Sequence, residues 1–202
     1  MNKHLETMKN LMRNYDSSVT KAHAKIAENN KLFQPEEAER QNNAILERLK
    51  ADKEAVKAQI LEAREKGAGE FEAWGKLDGG QITPDAKLLE HGTITPDQFK
   101  ALADRYQGNA TMVDLLLKYA DEHGSNGGGG FTAAWNFSGK EKPGKPRYDT
   151  SGLHTSADKI ATLDRCTNEA LGFIESFGDT SRLSTEGWRA ARIDRFGEGA
   201  DI

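Results

Sequence analysis

Five histidines, one cysteine and thirty-two carboxylates are the residues of this chain that could bind a metal, attack a carbonyl or move a proton. A zinc site draws its ligands from short, paired spacings. His4, His23, His91, His123 and His154 are scattered, with no paired spacing to one another or to Cys166. His4 and His23 are expected on the exposed side of a first helix. Cys166, among Leu163, Asp164, Arg165 and Thr167, reads as a structural thiol on a helix, because no histidine lies within helical reach to activate it. A single cysteine excludes an intramolecular disulfide and a zinc ribbon, and it fits a reducing compartment. Acid–base catalysis needs carboxylates whose surroundings drive their pKa values apart. Here they sit beside lysines at helical spacing instead, as in Glu47 with Lys50, Glu54 with Lys57 and Glu62 with Lys66.

Two glycine-containing stretches invite a ligand and do not hold one. Gly92-Thr93-Ile94-Thr95-Pro96-Asp97-Gln98-Phe99 is similar to the exit of an EF-hand loop. Calcium needs oxygen at loop positions one, three, five and twelve. Aligned on Gly92 those positions hold Lys87, Leu89, His91 and Gln98, and aligned on Gly80 they hold Gly75, Leu77, Gly79 and Ala86. Neither set chelates calcium. The run Gly127 to Gly130 lacks the Gly-Lys-Ser/Thr ending of a phosphate cradle, no strand leads into it, and Phe131 stands where the lysine belongs. No catalytic, cofactor-binding or metal-binding residue is expected, and the chain reads as a protein without enzymatic activity or cofactor.

The elements that must position any functional residue are helices. Leu5, Met8, Met12, Tyr15, Val19, Ala22 and Ile26 alternate spacings of three and four, a narrow heptad seam with polar residues between. Asn29 to Gln34 interrupts it, and Pro35 followed by Glu36 and Glu37 starts a second helix. That helix is expected to carry the seam Leu46, Leu49, Lys53, Val56, Ile60 and Ala63 and to stop at Gly67-Ala68-Gly69. Lys53 at a core-type position weakens pairing and fixes register. The two helices either fold back as an antiparallel hairpin or continue as one rod.

Residues 70–124 read as a small helical domain. Ile82-Thr83-Pro84-Asp85 recurs as Ile94-Thr95-Pro96-Asp97, each a threonine cap followed by proline in the first turn. The expected helices run from Pro84 to Glu90, from Pro96 to Tyr106 and from about Thr111 to Gly124. Phe99, Leu102, Tyr106, Met112, Leu115, Leu116 and Tyr119 supply their core. Residues 125–155 are rich in glycine and proline and read as an extended arm. Its Phe131, Trp135 and Phe137 are costly to leave in water, so the arm is expected to dock, in cis or on a neighbour. Residues 156–202 carry a long helix with the seam Ile160, Leu163, Thr167, Ala170, Ile174 and Phe177, then a short helix from Ser184 to Phe196. Arg182, Arg189, Arg192 and Arg195, interleaved with Asp179, Glu186 and Asp194, read as a solvated face rather than a phosphate-binding one.

Composition agrees with extension or oligomerisation. Only 36% of residues are hydrophobic and 7% aromatic while 30% are charged, thin for a solitary compact globule. The net charge of −4 lacks the basic footprint of a nucleic-acid binder. The N-terminus has no apolar run suited to a signal peptide and no stretch could span a bilayer, so a cytoplasmic protein made and kept in water is expected.

The charged N-terminal helices, the segment Ile94-Thr95-Pro96-Asp97-Gln98-Phe99-Lys100-Ala101-Leu102 with Tyr106-Gln107-Gly108-Asn109, and the glycine-rich arm together resemble small structural and head-module proteins of bacteriophages and prophages. The resemblance covers about half the chain. It implies a virion, scaffolding, connector or capsid-accessory role in the host cytoplasm or the particle, with contacts to itself or to other virion components. The expected function is therefore an assembly protein, homo-oligomeric, with Phe131, Trp135, Phe137 and Trp188 as partner-binding anchors, since buried aromatics dominate interface energetics. The alternative is a phage-borne regulatory or inhibitory protein that binds a host complex.

Overall fold

The structure, a computed structural model, describes residues 2–91, 94–124, 146–178 and 186–200. Seven α-helices and no strand are found among them: α1 Lys3–Leu32, α2 Pro35–Trp74, α3 Ala86–Glu90, α4 Pro96–Tyr106, α5 Ala110–His123, α6 Ser156–Glu175 and α7 Glu186–Asp194. The fold is mainly α-helical. By packing, the chain divides into two compact units, Met1–Glu70 with Ile160–Ile202, and Phe71–Lys159. The sequence boundaries at 69, 124 and 155 follow breaks in composition. Packing instead returns the C-terminal helices to the N-terminal ones.

In the first unit α1 and α2 fold back as an antiparallel hairpin. Asn2 caps α1 by accepting a hydrogen bond from the His4 amide at 2.9 Å. At the far end the Phe33 amide closes the last turn on the Asn29 carbonyl, and Pro35 opens α2. Two contacts fix the register: the His4 ring meets Glu70 at 2.9 Å, and the Asn29 amide donates to Asn42 at 3.0 Å. The α1 seam is as the sequence spaces it, with Leu5, Met8, Met12, Tyr15 and Val19 buried and Ala22 and Ile26 half-buried.

The second helix departs from expectation in two ways. Its inward face runs Ala38, Asn42, Ile45, Leu49, Lys53, Val56, Ile60, Ala63 and Gly67, so Ile45 faces α1 and Leu46 is turned outward. It also passes straight through Gly67-Ala68-Gly69 to Trp74. The glycine propensity cost is outweighed because Gly67 and Ala68 are buried, Gly67 against Leu163 of α6 and His4 of α1.

α6 runs antiparallel to α2. Arg64 reaches Asp164 at 2.6 Å, and Lys53 and Lys57 both grip Glu175 at 2.6 Å. Lys53 thus occupies its core-type position by sending its amine out to a carboxylate on the third helix. Leu163, Cys166, Thr167, Ala170, Phe173 and Ile174 are all buried, a wider stripe than the expected seam because α6 is packed from more than one side. α7 lies antiparallel to α1, held by Arg189 at Asp16 and by Asp194 at Arg13, with Ile193 and, just past its end, Phe196 buried.

The second unit has its own core of Phe99, Leu102, Met112, Val113, Leu116, Tyr119 and Leu153. The second Thr-Pro-Asp copy forms a full capping box: Thr95 accepts from the Gln98 amide, and Gln98 accepts from the Thr95 amide at 3.0 Å. The first copy gives only a turn before the five-residue α3, whose cap, Asp85, bonds instead to Tyr106 and Arg105 across to α4. Residues 146–155, the end of the expected arm, pack on this unit. Tyr148 stacks against Phe99 with ring centroids 4.8 Å apart and donates to the Ile94 carbonyl at 3.0 Å, while the Ile94 amide donates to the Tyr119 hydroxyl at 3.1 Å.

Candidate functional site

Chemistry at Cys166 is closed off by packing. The thiol is fully buried, and burial pushes its pKa up, so it stays protonated and out of reach. His4 is a correction to the expected exposed face: it is buried at the root of the hairpin, against Gly67, with Glu70 as its partner. His23 is half-buried, and burial first, then the charge of Arg189, lower its pKa. His123 stacks on Tyr119 at 4.4 Å in the second unit. Among the described residues no group of three or more His, Cys, Asp or Glu side chains could hold a metal ion.

The arginines near the C-terminus are not a uniform solvated face. Arg189 is buried; its Nε lies 2.8 Å from Asp16 Oδ1, its Nη2 donates to Thr20 at 3.2 Å, and its guanidinium covers the Phe177 ring. The Nε–H is not aligned on the carboxylate oxygen, so that contact is one of charge rather than a well-formed hydrogen bond. Arg192 lies between the rings of Phe173 and Trp188, at 5.7 and 5.3 Å. The physical reason is that a guanidinium sheds water more readily than an ammonium and stacks on aromatic faces. Arg182 lies outside the described residues.

What remains exposed and apolar is the candidate interaction surface. Trp188 is 54% exposed on α7, roofed on one side by Arg192. Phe131, Trp135 and Phe137 lie outside the described residues. On the hairpin, Leu32, Phe33 and Leu46 are 66%, 41% and 37% exposed toward its outer end, and Leu61, further along α2, is 50% exposed. Between Lys21 and Lys50 only Asn29 and Ala38 are fully buried, so this half of the hairpin leaves much of its surface in water. Leu77, Ile82 and Leu88 are exposed in the second unit.

Two open depressions flank the same half of the hairpin. One, of about 390 Å³, is lined by Phe33, Pro35 and Ala38 together with Asn30, Glu39, Asn42 and Asn43. The other, of about 560 Å³, is lined by Lys25, Arg40 and Arg48 around Asn29. Lys25 and Arg40 there are already paired with Glu28 and Glu37, at 2.7 and 2.8 Å. Asn29 Oδ1 is buried without a hydrogen-bond partner.

The sequence did carry a signal for Leu32 and Phe33, two large apolar residues inside a helix break beside Pro35. It assigned Leu46 to the wrong face. Compared with protein-family models, with curated proteins and with solved structures, the chain matches none. No helix among the described residues is long and apolar enough to cross a membrane.

Proposed function

We propose that this is a non-catalytic assembly protein that works through helical protein–protein contacts, a scaffolding or capsid-accessory component of the kind its resemblance to phage structural proteins implies. The observation that carries the reading is the outer half of the α1–α2 hairpin. There the inward faces of two long helices are only half-covered, and Leu32, Phe33 and Leu46 stand in water. Leu32 and Phe33 are neighbours at the turn of the hairpin, and large apolar side chains grouped in water mark a site of association. Trp188 with Arg192 is a second anchor of the residue types that dominate interfaces.

The test is absolute mass by light scattering on a sizing column, over a hundredfold range of concentration. A defined multimer, or mass that climbs with concentration, is the expected result. A monomer at every concentration removes self-assembly and moves the reading to a regulatory protein that binds a different chain.

A further inference from the structure

α2 carries a second stripe, distinct from the one it turns to α1. Glu39, Asn43, Leu46 and Lys50 are spaced four, three and four residues apart, the spacing of a helix–helix seam. All four are exposed. Among the described residues Glu39 and Lys50 have no ion-pair or hydrogen-bond partner, in contrast to Lys53 and Lys57 further along the same helix.

We infer that this stripe docks antiparallel on the same stripe of a second copy of the chain. The inference rests on the assembly reading and supplies its interface. The order along the stripe is acid, amide, leucine, base. Reversed upon itself about a two-fold axis between Asn43 and Leu46, it sets Glu39 opposite Lys50 at both ends. Parallel docking sets like charge against like and is disfavoured. The same antiparallel register brings Arg40, which pairs with Glu37 of its own helix at 2.8 Å, near Glu47 on the adjoining edge, the place where seam-flanking charges select orientation. At the centre, each Leu46 meets the other copy beside Asn43. There it can enter the depression that Phe33, Pro35 and Ala38 line with Asn42 and Asn43, which removes Leu46 and Phe33 from water at once. Such an axis makes the contact isologous, the commonest arrangement of a homodimer. The patch is narrower than a permanent interface, so the pairing is concentration-dependent.

The test uses the full chain and charge reversal. Sedimentation equilibrium is run on the wild type, Leu46→Asp, Glu39→Lys, Lys50→Glu and the double variant Glu39→Lys with Lys50→Glu. All these side chains are exposed, and circular dichroism confirms that each variant folds. Leu46→Asp and each single reversal are expected to weaken association roughly tenfold, and the double reversal to restore it to within about threefold of wild type. Because the stripe is electrostatically selected, salt should narrow the differences among the charge variants. If the wild type associates and the single reversals leave it unchanged, or the double is no better than either single, this interface is overturned while the assembly reading stands. A wild type that never associates overturns both.

Discussion

At Gly67, α6 comes so close to α2 that a Cβ on the glycine would lie 2.8 Å from Leu163 Cδ2 and 3.1 Å from the His4 ring. Two residues on, a Cβ at Gly69 would meet nothing within 4 Å. The pair separates propensity from packing. Alanine in a helix interior is favoured over glycine by about 1 kcal/mol, while overfilling a packed site costs roughly 1–3 kcal/mol. Gly69→Ala is therefore expected to stabilise the protein by up to about 1 kcal/mol, and Gly67→Ala to destabilise it by about 1 kcal/mol, read from chemical denaturation. Equal stabilisation by both would mean that the close approach at Gly67 is absent. This also explains why the end of α2 was illegible in the sequence. Gly-Ala-Gly is a stop signal by propensity, and only the neighbouring helix turns it into a place of contact.

Helix α7 has an inner and an outer face that a list of its residues does not reveal. Arg189 faces inward onto Asp16 and Thr20, whereas Trp188 faces out. Removing Arg189 leaves Asp16 in a protein environment without its counter-charge. Asp16 retains 24% of its side-chain exposure, so Arg189→Ala is expected to cost about 2 kcal/mol, below the value for a fully buried pair. Trp188→Ala is expected to change stability by no more than about 0.5 kcal/mol. Thermal unfolding of the two variants side by side checks the difference, and a larger loss from Trp188→Ala would reverse the assigned faces. Among the elements, α1 was the most legible, because polar residues separate its seam positions cleanly. α2 was misread by one residue at Leu46, since Ile45 and Leu46 both fit the pattern and the hairpin register with α1 decides between them. The arginines of α7 were misread because the aspartate that draws Arg189 inward lies at the other end of the chain.

Across the whole molecule the ionisable groups set a stability profile with two shoulders. Glu175, held by Lys53 and then Lys57, has its pKa drawn down from 4.5 to about 2. A depressed carboxylate contributes stability that is complete above its ordinary value and disappears as pH falls through the folded one. The acid shoulder therefore lies between about 4.5 and about 2. It is shallow, because Glu175 is half exposed and water screens the pair. On the alkaline side burial first, then Glu175, raises Tyr15 from 10.0 to about 12 in one unit. Burial, then the Tyr119 hydroxyl, does the same to Tyr148 in the other. Both favour the neutral phenol, so stability is intact below pH 10 and falls as pH rises toward 12. Urea unfolding across pH, with tyrosine ionisation followed by absorbance, is expected to show both shoulders, and Glu175→Gln to flatten the acid one. A profile flat from 10 to 12 would contradict the burial of the two phenols. Helical class and most helix bounds were legible from periodicity. The division into two units was not, since no local pattern says that α6 and α7 return to α1.

That return has a consequence for how the chain comes into being. The Thr167 hydroxyl touches the Met8 sulfur across 159 positions, and Lys9 reaches the Asp194 carbonyl across 185. Helical proteins usually close through local contacts and fold fast, but these pairings cannot form until nearly all of the polypeptide has left the ribosome. At ordinary rates of synthesis the interval between α1 and α6 lasts roughly 6–25 s. Once α2 has been made, Met8 has it for a neighbour but must wait for Thr167 of α6. Residues Phe71–Lys159 are complete before α6 is finished and can condense before α6 reaches α1. The newborn hairpin thus holds an apolar face open to whatever the cell offers while translation is still under way.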